Sequence, residues 1–299
     1  MPAPRQRDGL ILGISAYVWW GFFPLYIRLA EPTGSYELVA HRIVWALAVC
    51  LILLVATRQW RRFLTVLGSG QLMGWLSLAG LLLMVNWSVF IYATLTDQLI
   101  DAALGYYLNP LVSIALGVGL LRERLVIAQW LAVGVAGVGV LAVWLSTSHF
   151  PWISLVLAFS FGFYGYIEKV RVGGTPALVT LSVETLATAP IALAFLAVWG
   201  ATGRQTFLSQ GVGHAFVLLG MGVATVVPLL LVNGAFRRLP LSAIGQLQFL
   251  CPTLQFLVGL FLFGEAMPLA RWIGFVTVWL ALVILGVHAT RSSARVSER

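Results

Sequence analysis

The sequence predicts an all-α polytopic membrane protein of ten transmembrane helices arranged as two inverted five-helix repeats. Three observations carry that prediction. The chain is 60% hydrophobic and only 9% charged, with a mean hydropathy of +0.96, against about 25% charged residues in a soluble domain. Apolar runs of roughly 20 residues recur from end to end, the length that crosses about 30 Å of hydrocarbon at a helical rise of 1.5 Å. Charges, prolines and polar clusters gather in the breaks between those runs. Only helices satisfy their own backbone hydrogen bonds over such lengths, because a barrel shows short alternating segments instead.

Breaking the runs at these points places spans near 9–29, 35–57, 71–95, 99–121, 126–146, 151–169, 175–199, 212–235, 240–263 and 268–289. The first follows Arg5 and Arg7 like a secretory leader, but it runs uninterrupted from Gly9 to Leu29 without a small-x-small cleavage site, so it reads as a retained helix. The third and fourth spans are separated only by Thr96-Asp97-Gln98. Later breaks are carried by Thr202-Gly203-Arg204-Gln205, Arg237-Arg238-Leu239-Pro240 and Gly264-Glu265-Ala266-Met267-Pro268. Residues 9–146 and 151–289 form the two repeats, with 1–8 and 290–299 as tails.

Charge orients the array. Alternating loops from a cytoplasmic N-terminus place Arg5, Arg7, Arg58, Arg61, Arg62, Arg122, Arg124, Lys169, Arg171, Arg237, Arg238, Arg291, Arg295 and Arg299 inside. Only Arg28, Arg204 and Arg271 fall outside, and Arg42 lies within a span. That asymmetry predicts both termini in the cytoplasm. It also excludes a nucleic-acid partner for the net charge of +8, since no face collects the basic residues. Cys50 and Cys251 fall inside spans, where they read as packing residues rather than as a disulfide or metal site. No phosphate-binding loop, HExxH or paired metal spacing occurs, so neither a cofactor nor a metal is expected.

The repeat is visible at a constant offset. A displacement of 142 residues superposes Pro110 on Pro252, Gly117 on Gly259, Glu123 on Glu265, Ala128 on Ala270 and Trp130 on Trp272. Trp20-Gly21 and Tyr164-Gly165 form a looser echo. Five is odd, so two halves of five helices sit upside down relative to one another. Inverted halves place a binding site near the midplane at their interface and allow alternating access.

The residues that break the apolar rule point into that interface. A guanidinium cannot shed its charge, so Arg42 within Glu37-Leu38-Val39-Ala40-His41-Arg42-Ile43-Val44-Trp45 must face a partner or a polar path. Glu37, His41 and Trp45 lie four apart on one helical face, with Arg42 about 100° round from His41. By helical rise Arg42 is roughly 10 Å deep from one surface and Glu184 roughly 13 Å deep from the other. Two readings stay open for them: an Arg42–Glu184 ion pair that ties the halves together, or groups that bind substrate or a proton. His41 is likewise a candidate for the substrate site and for proton coupling, since an imidazole titrates near neutrality, with hydrogen-bonded packing between helices as its alternative. Glu184 is the better proton carrier, because burial raises a carboxyl toward the working range while a neighbouring Arg disfavours a second positive charge on His41.

Trp20, Trp45, Asn86, Trp87, Tyr106, Tyr107, Asn109 and Tyr164 are candidates for a wall that stacks on a flat or amphipathic solute while amides fix its polar groups. Pro110 frees a carbonyl one turn earlier, with polar groups nearby, a break tolerated where backbone lines a cavity. Gln246, Gln248 and Gln255 surround Pro252 in the matching helix. Interhelical packing is the competing role for all these amides. Trp60, Trp75, Trp130, Trp152, Trp199 and Trp272 sit near span ends and read as interfacial anchors. His149, His214 and His288 also lie near span ends and attract no functional reading.

Trp19-Trp20-Gly21, the Glu37–Trp45 stretch, Asn86-Trp87, Gly105-Tyr106-Tyr107-Leu108-Asn109-Pro110, Glu123 with Gln129-Trp130, and the run from Ala158 to Gly165 resemble the RarD group of the EamA family, within the drug/metabolite transporter superfamily. Glu184-Thr185-Leu186, Val227-Pro228-Leu229-Leu230 and Pro252-Thr253 extend the resemblance over roughly residues 9–288. One departure is Leu121-Arg122-Glu123, where Gly is expected before the Glu, as in Gly264-Glu265. The resemblance implies ten helices in a bacterial inner membrane and a secondary transporter that exports small organic solutes. Amino acids or chloramphenicol-like compounds are the cargo it suggests, with antibiotic resistance as the attached trait; proton coupling is the mode that Glu184 and His41 would allow. A small-molecule substrate and membrane lipid are the expected partners, and a homodimer is allowed. A sensor or assembly factor using the same cavity is the alternative. An enzyme is disfavoured, because no acid, base and nucleophile stand at recognisable spacing.

Overall fold

The computed structural model describes residues 4–121, 127–146, 150–172, 174–236, 238–239 and 247–297. Glu123, His149, Gln246 and the opening of the ninth expected span lie outside the described residues.

Every described element is helical. In chain order they are α1 (Pro4–Leu29), α2 (Ser35–Ala56), α3 (Trp60–Leu67), α4 (Gly70–Leu95), α5 (Leu99–Leu121), α6 (Ile127–Ser146), α7 (Trp152–Ile167), α8 (Ala177–Ala201), α9 (Val212–Phe236), α10 (Leu250–Leu257) and α11 (Leu269–Ser297). π-helical turns continue α7 over Glu168–Val172 and α10 over Val258–Leu262. Among the described residues, seven helices are long and apolar enough to cross a membrane: α1, α2, α4, α5, α7 with its π turn, α8 and α9. The remaining three expected spans fall on α6, α10 and α11. The chain is therefore a multi-pass helical membrane protein. Large apolar side chains such as Ile52, Val55, Val138, Val198 and Phe216 stand exposed along its outer faces, which is what a lipid solvent requires of them.

The structure differs from the sequence reading in three places. Helix α3 occupies a stretch expected to be loop; it buries Phe63 and Val66 while Arg61, Arg62 and Thr65 stay exposed, the two-faced pattern of a helix lying in the membrane interface. Helix continues beyond the outermost expected spans, since α1 begins at Pro4 and α11 runs to Ser297. Pro110 does not break its helix: α5 continues through it, as α1, α8 and α9 continue through Pro24, Pro190 and Pro228. The irregular backbone sits instead in the two π turns.

Packing follows a simple plan. Helix α2 lies against α8 and α9, α4 against α7 and α8, and α1 against α9 and α10. Helix α5 packs on α7 and α10, while α6 packs on α11. Close crossings depend on missing side chains. A Cβ on Gly222 of α9 would collide with the Trp45 carbonyl of α2, and one on Gly80 of α4 would stand 2.6 Å from the Glu184 carbonyl oxygen of α8. Dispersion across such contacts is the main attraction between helices where lipid tails are as apolar as the core. The tight α4–α5 turn places Asp97 at φ 55°, a left-handed conformation that Asp tolerates better than most residues.

The interhelical breaks at one end are tied together. Arg28 pairs with Glu31 at 2.8 Å and with Asp97, and Arg271 pairs with Asp101 at 3.2 Å. Glu265 Oε1 and Oε2 accept from the Leu99 and Ile100 amides at 2.6 and 2.9 Å, so a carboxylate from the last loop caps the start of α5. Burial raises the Glu265 carboxyl above its ordinary value, and those two backbone donors only partly offset the rise.

Candidate functional site

The site grows from α2. Gly34 precedes the first turn with extended backbone, and Glu37, His41 and Trp45 then repeat every four residues on one face. Trp45 Nε1 donates to His41 Nδ1 at 3.2 Å, and His41 Nε2 stands 3.7 Å from Glu37 Oε1. With Nδ1 accepting, the neutral ring carries its proton on Nε2, toward the carboxylate. Glu37 Oε1 accepts from the Thr206 amide at 2.7 Å and from its hydroxyl at 3.0 Å. Thr33 Oγ1 reaches both Thr206 Oγ1 at 2.6 Å and His214 Nε2 at 2.8 Å. Phe207 then stacks on His41 and Trp45, with ring centroids 5.1 and 5.9 Å apart. The loop between α8 and α9 is thus clamped over this face of α2. His41 and Trp45 belong to that clamp.

Arg42 points elsewhere. It is 5% exposed, and its guanidinium lies between two aromatic faces, 4.8 Å from the Phe23 centroid of α1 and 4.2 Å from that of Trp87 on α4. Among the described residues no carboxylate comes within 4 Å of it, and its Nε has no hydrogen-bond partner. The direct Arg42–Glu184 ion pair is therefore not formed. The rotation of α8 about its axis decides this, because it turns Glu184 to a different set of neighbours.

A polar chain adjoins the guanidinium. The Tyr106 phenol lies beside Arg42 and donates to Asn86 Oδ1 at 3.0 Å. Asn86 Nδ2 in turn donates to Ser160 Oγ at 3.0 Å and to the Leu157 carbonyl at 3.2 Å. The Asn86 amide has both its oxygen and its nitrogen engaged while 2% exposed, which fixes its orientation and that of the phenol. Arg42, Phe23, Trp87, Tyr106, Asn86 and Ser160 thus bring α1, α2, α4, α5 and α7 together at one buried polar centre.

Other expected wall residues are not gathered there. Tyr107 is rotated away on the same helix; its hydroxyl meets Thr253 Oγ1 at 2.6 Å and its ring packs edge-on against Phe275 and Trp279. Asn109 Oδ1 has no partner, and Gln255 Nε2 donates to the Trp20 carbonyl at 3.2 Å. Glu184 is 1% exposed with neither oxygen hydrogen-bonded to a donor. Tyr164, Glu168 and Cys50 are titratable neighbours of it. Phe23, Ser160, Phe207 and Glu168 were missed in the sequence. Phe23 and Phe207 read as ordinary apolar residues, Ser160 is one hydroxyl in an aromatic run, and Glu168 sits beside Lys169 and Arg171 like a loop residue.

Two clefts lie on the outer surface. One of about 490 Å³ runs between α6 and α11, lined by Ile127, Trp130, Leu131, Val138 and Thr277. Another of about 380 Å³ is bounded by α5, α6 and α7 and lined by residues such as Leu108, Leu141, Trp144 and Phe159. Both are apolar grooves facing lipid.

The fold and this centre define a multi-pass helical membrane protein that encloses a cation, Arg42, among buried polar groups. Residues 7–145 match the EamA-like transporter family. The chain is 44% identical over 296 residues to the protein RarD of Streptomyces exfoliatus, covering 99% of this chain and 93% of that protein. It is 33% identical over 298 residues to the protein RarD of Escherichia coli (strain K12), covering 100% of both. A relative in Pseudomonas aeruginosa described as chloramphenicol-sensitive protein RarD is 31% identical, with 98% of each chain covered. A crystal structure 18% identical in sequence superposes with a TM-score of 0.56 over 95% of this chain and 98% of the other, so the two share a fold. The chain belongs to the EamA-like transporter family, in its RarD group. It is a transporter of the drug/metabolite type rather than an enzyme.

Proposed function

We propose that the protein is a secondary transporter of the bacterial inner membrane, with both termini cytoplasmic, that exports small organic solutes by alternating access. The observation that carries this reading is Arg42: a buried cation held between Phe23 and Trp87 with no carboxylate beside it among the described residues. A permanent charge in the membrane interior is retained where a ligand completes it. The solute this centre suits has a carboxylate, nitro or other electron-rich head for Arg42 and an apolar body for Phe23 and Trp87. Tyr106 and Asn86 orient it. Amino acids and chloramphenicol-like amphipathic compounds have that form, and one relative is described as chloramphenicol-sensitive. Glu184 is the proton-coupling residue of this carrier.

Ten spans in two inverted repeats are supported by the packing plan. Exchanging α1 with α7, α2 with α8, α4 with α9, α5 with α10 and α6 with α11 maps the neighbouring pairs onto one another. The α1–α9 contact becomes α7–α4, α2–α9 becomes α8–α4, and α1–α10 becomes α7–α5, while α2–α8, α5–α10 and α6–α11 map onto themselves. Two such halves exchange conformations to open a central site alternately to each side. The tied end with Glu31, Asp97 and Glu265 is external in this orientation, and α3 is cytoplasmic. Reporter fusions at Arg62 should read cytoplasmic and those at Asp97 and Arg204 external; the reverse pattern refutes the orientation.

The decisive experiment is flux into vesicles containing the purified protein. Saturable movement of an amino acid or amphenicol above empty vesicles is expected, with loss in Arg42→Ala. A folded protein that moves none of them refutes the cargo, and unchanged flux in Arg42→Ala refutes the site while keeping the carrier.

A further inference from the structure

Helix α7 does not finish as an α-helix. After Ile167 it passes into the π turn Glu168–Val172. Each π turn admits one extra residue and rotates the side chains that follow, and such turns recur at functional sites. Here the turn sets the half-buried Glu168 beside the enclosed carboxyl group of Glu184 on α8, with no hydrogen bond formed between them. Both oxygens of Glu184 and Oε1 of Glu168 are buried, and among the described residues none meets an N–H or O–H donor.

Two ionised carboxylates are acceptors only, and held together away from water they repel. Their contact becomes favourable when one proton lies between them. Among the described side chains, none offers a different solution. Helix α7 contributes the Tyr164 phenol and α2 the Cys50 thiol beside Ser182. Helix α4 presents the backbone face of Gly80. Arg171, in the same π turn, is drawn over the Trp75 ring at 4.7 Å. Arg61 and Arg62 of α3 are exposed, and on α9 His214 is engaged at the far end with Thr33. No described cation forms a salt bridge to either carboxylate.

We propose that Glu168 and Glu184 together form one proton-binding site, a carboxylic acid–carboxylate pair through which the carrier takes up and releases its coupling proton. The proposal deepens the proton-coupled reading above and rests on it for the word coupling, while the pair itself is read independently of transport. In the resting pair one O–H donates to the other carboxylate. Arrival of a second proton forms one O–H bond on the remaining carboxylate and replaces the charged acceptor by a neutral, weaker one; its departure reverses both. Glu168, the more exposed member, passes protons between water and the enclosed Glu184.

The test is infrared difference titration of the full-length protein in lipid vesicles, reading the carbonyl stretch of protonated carboxylic acid. Subtracting Glu168→Gln or Glu184→Gln from wild type cancels Glu37, Asp101 and Glu265, which keep their own donors or partners. Wild type should show two protonation steps from the pair, and each single variant one step with an altered band. A Glu184 band with wild-type frequency and titration in Glu168→Gln overturns the proposal. Should Glu168→Gln not fold, Glu168→Asp retains a carboxyl one methylene shorter, and an unshifted band there overturns it equally. Two-step titration without flux in wild-type vesicles keeps the pair and removes the carrier reading. Flux driven by a pH gradient with single-step titration keeps the carrier and removes the pair.

Discussion

Replacing Arg42 by Met should leave the fold standing and remove solute binding. The magnitude follows from what surrounds the guanidinium. An arginine at the centre of a span costs about 2.5–3.5 kcal/mol on insertion scales. Two aromatic faces at 4.2 and 4.8 Å return about 0.5–2 kcal/mol each. Those opposing contributions nearly cancel, and Met fills most of the same volume without a charge. The unfolding free energy in detergent should therefore move by less than about 2 kcal/mol. Had Arg42 been half of a buried ion pair, its removal would cost about 3–5 kcal/mol. Binding is a separate quantity: a lost hydrogen bond to a charged group is worth about 1.5–3 kcal/mol, or roughly 10- to 150-fold in affinity. Chemical denaturation and equilibrium binding on the same preparation measure both. Destabilisation beyond 3 kcal/mol with solute affinity retained would refute the reasoning, because it would make Arg42 a structural pin.

Since no ion pair joins Arg42 to Glu184, a double-mutant cycle should be additive to within about 0.5 kcal/mol; coupling well above that would reveal a connection not present in this conformation. Glu37→Ala should strip the acceptor from the Thr206 amide and hydroxyl and loosen the clamp, so that Phe207→Cys is labelled faster from outside in the Glu37→Ala background than alone. Equal labelling rates would show that the loop is held by stacking instead. Glu265, whose buried carboxyl sits above its ordinary value, binds a proton more readily folded than unfolded. Its contribution to stability should therefore fall as pH rises from about 4 through the raised folded value, and increase on acidification. Thermal unfolding across that window should show this slope diminished in Glu265→Gln, and an identical slope in both proteins would count against it.

The sequence by itself determined the class of this protein, most of its helix positions and the residue at its centre. Span-length apolar runs report helices because backbone satisfaction in lipid is a local requirement, legible without knowing any neighbour. Arg42 stood out for the same reason: a charge in a span is costly whatever surrounds it. Spacing on one helix was also readable, and Glu37, His41 and Trp45 do share a face. Tertiary structure decided what each polar group meets. Helix rotation placed Arg42 between Phe23 and Trp87 and turned Glu184 toward Glu168, although depth alone made an Arg42–Glu184 pair equally open. It also separated Tyr106 from Tyr107, adjacent residues about 100° apart on a helix, sending one to Asn86 and the other to Thr253. The π turn that carries Glu168 inward and the short helix α3 depend on packing around them, and no local hydropathy signal encodes either. Partners in a bundle are chosen by how helices rotate and cross, a global property of the chain that periodicity along one segment does not contain.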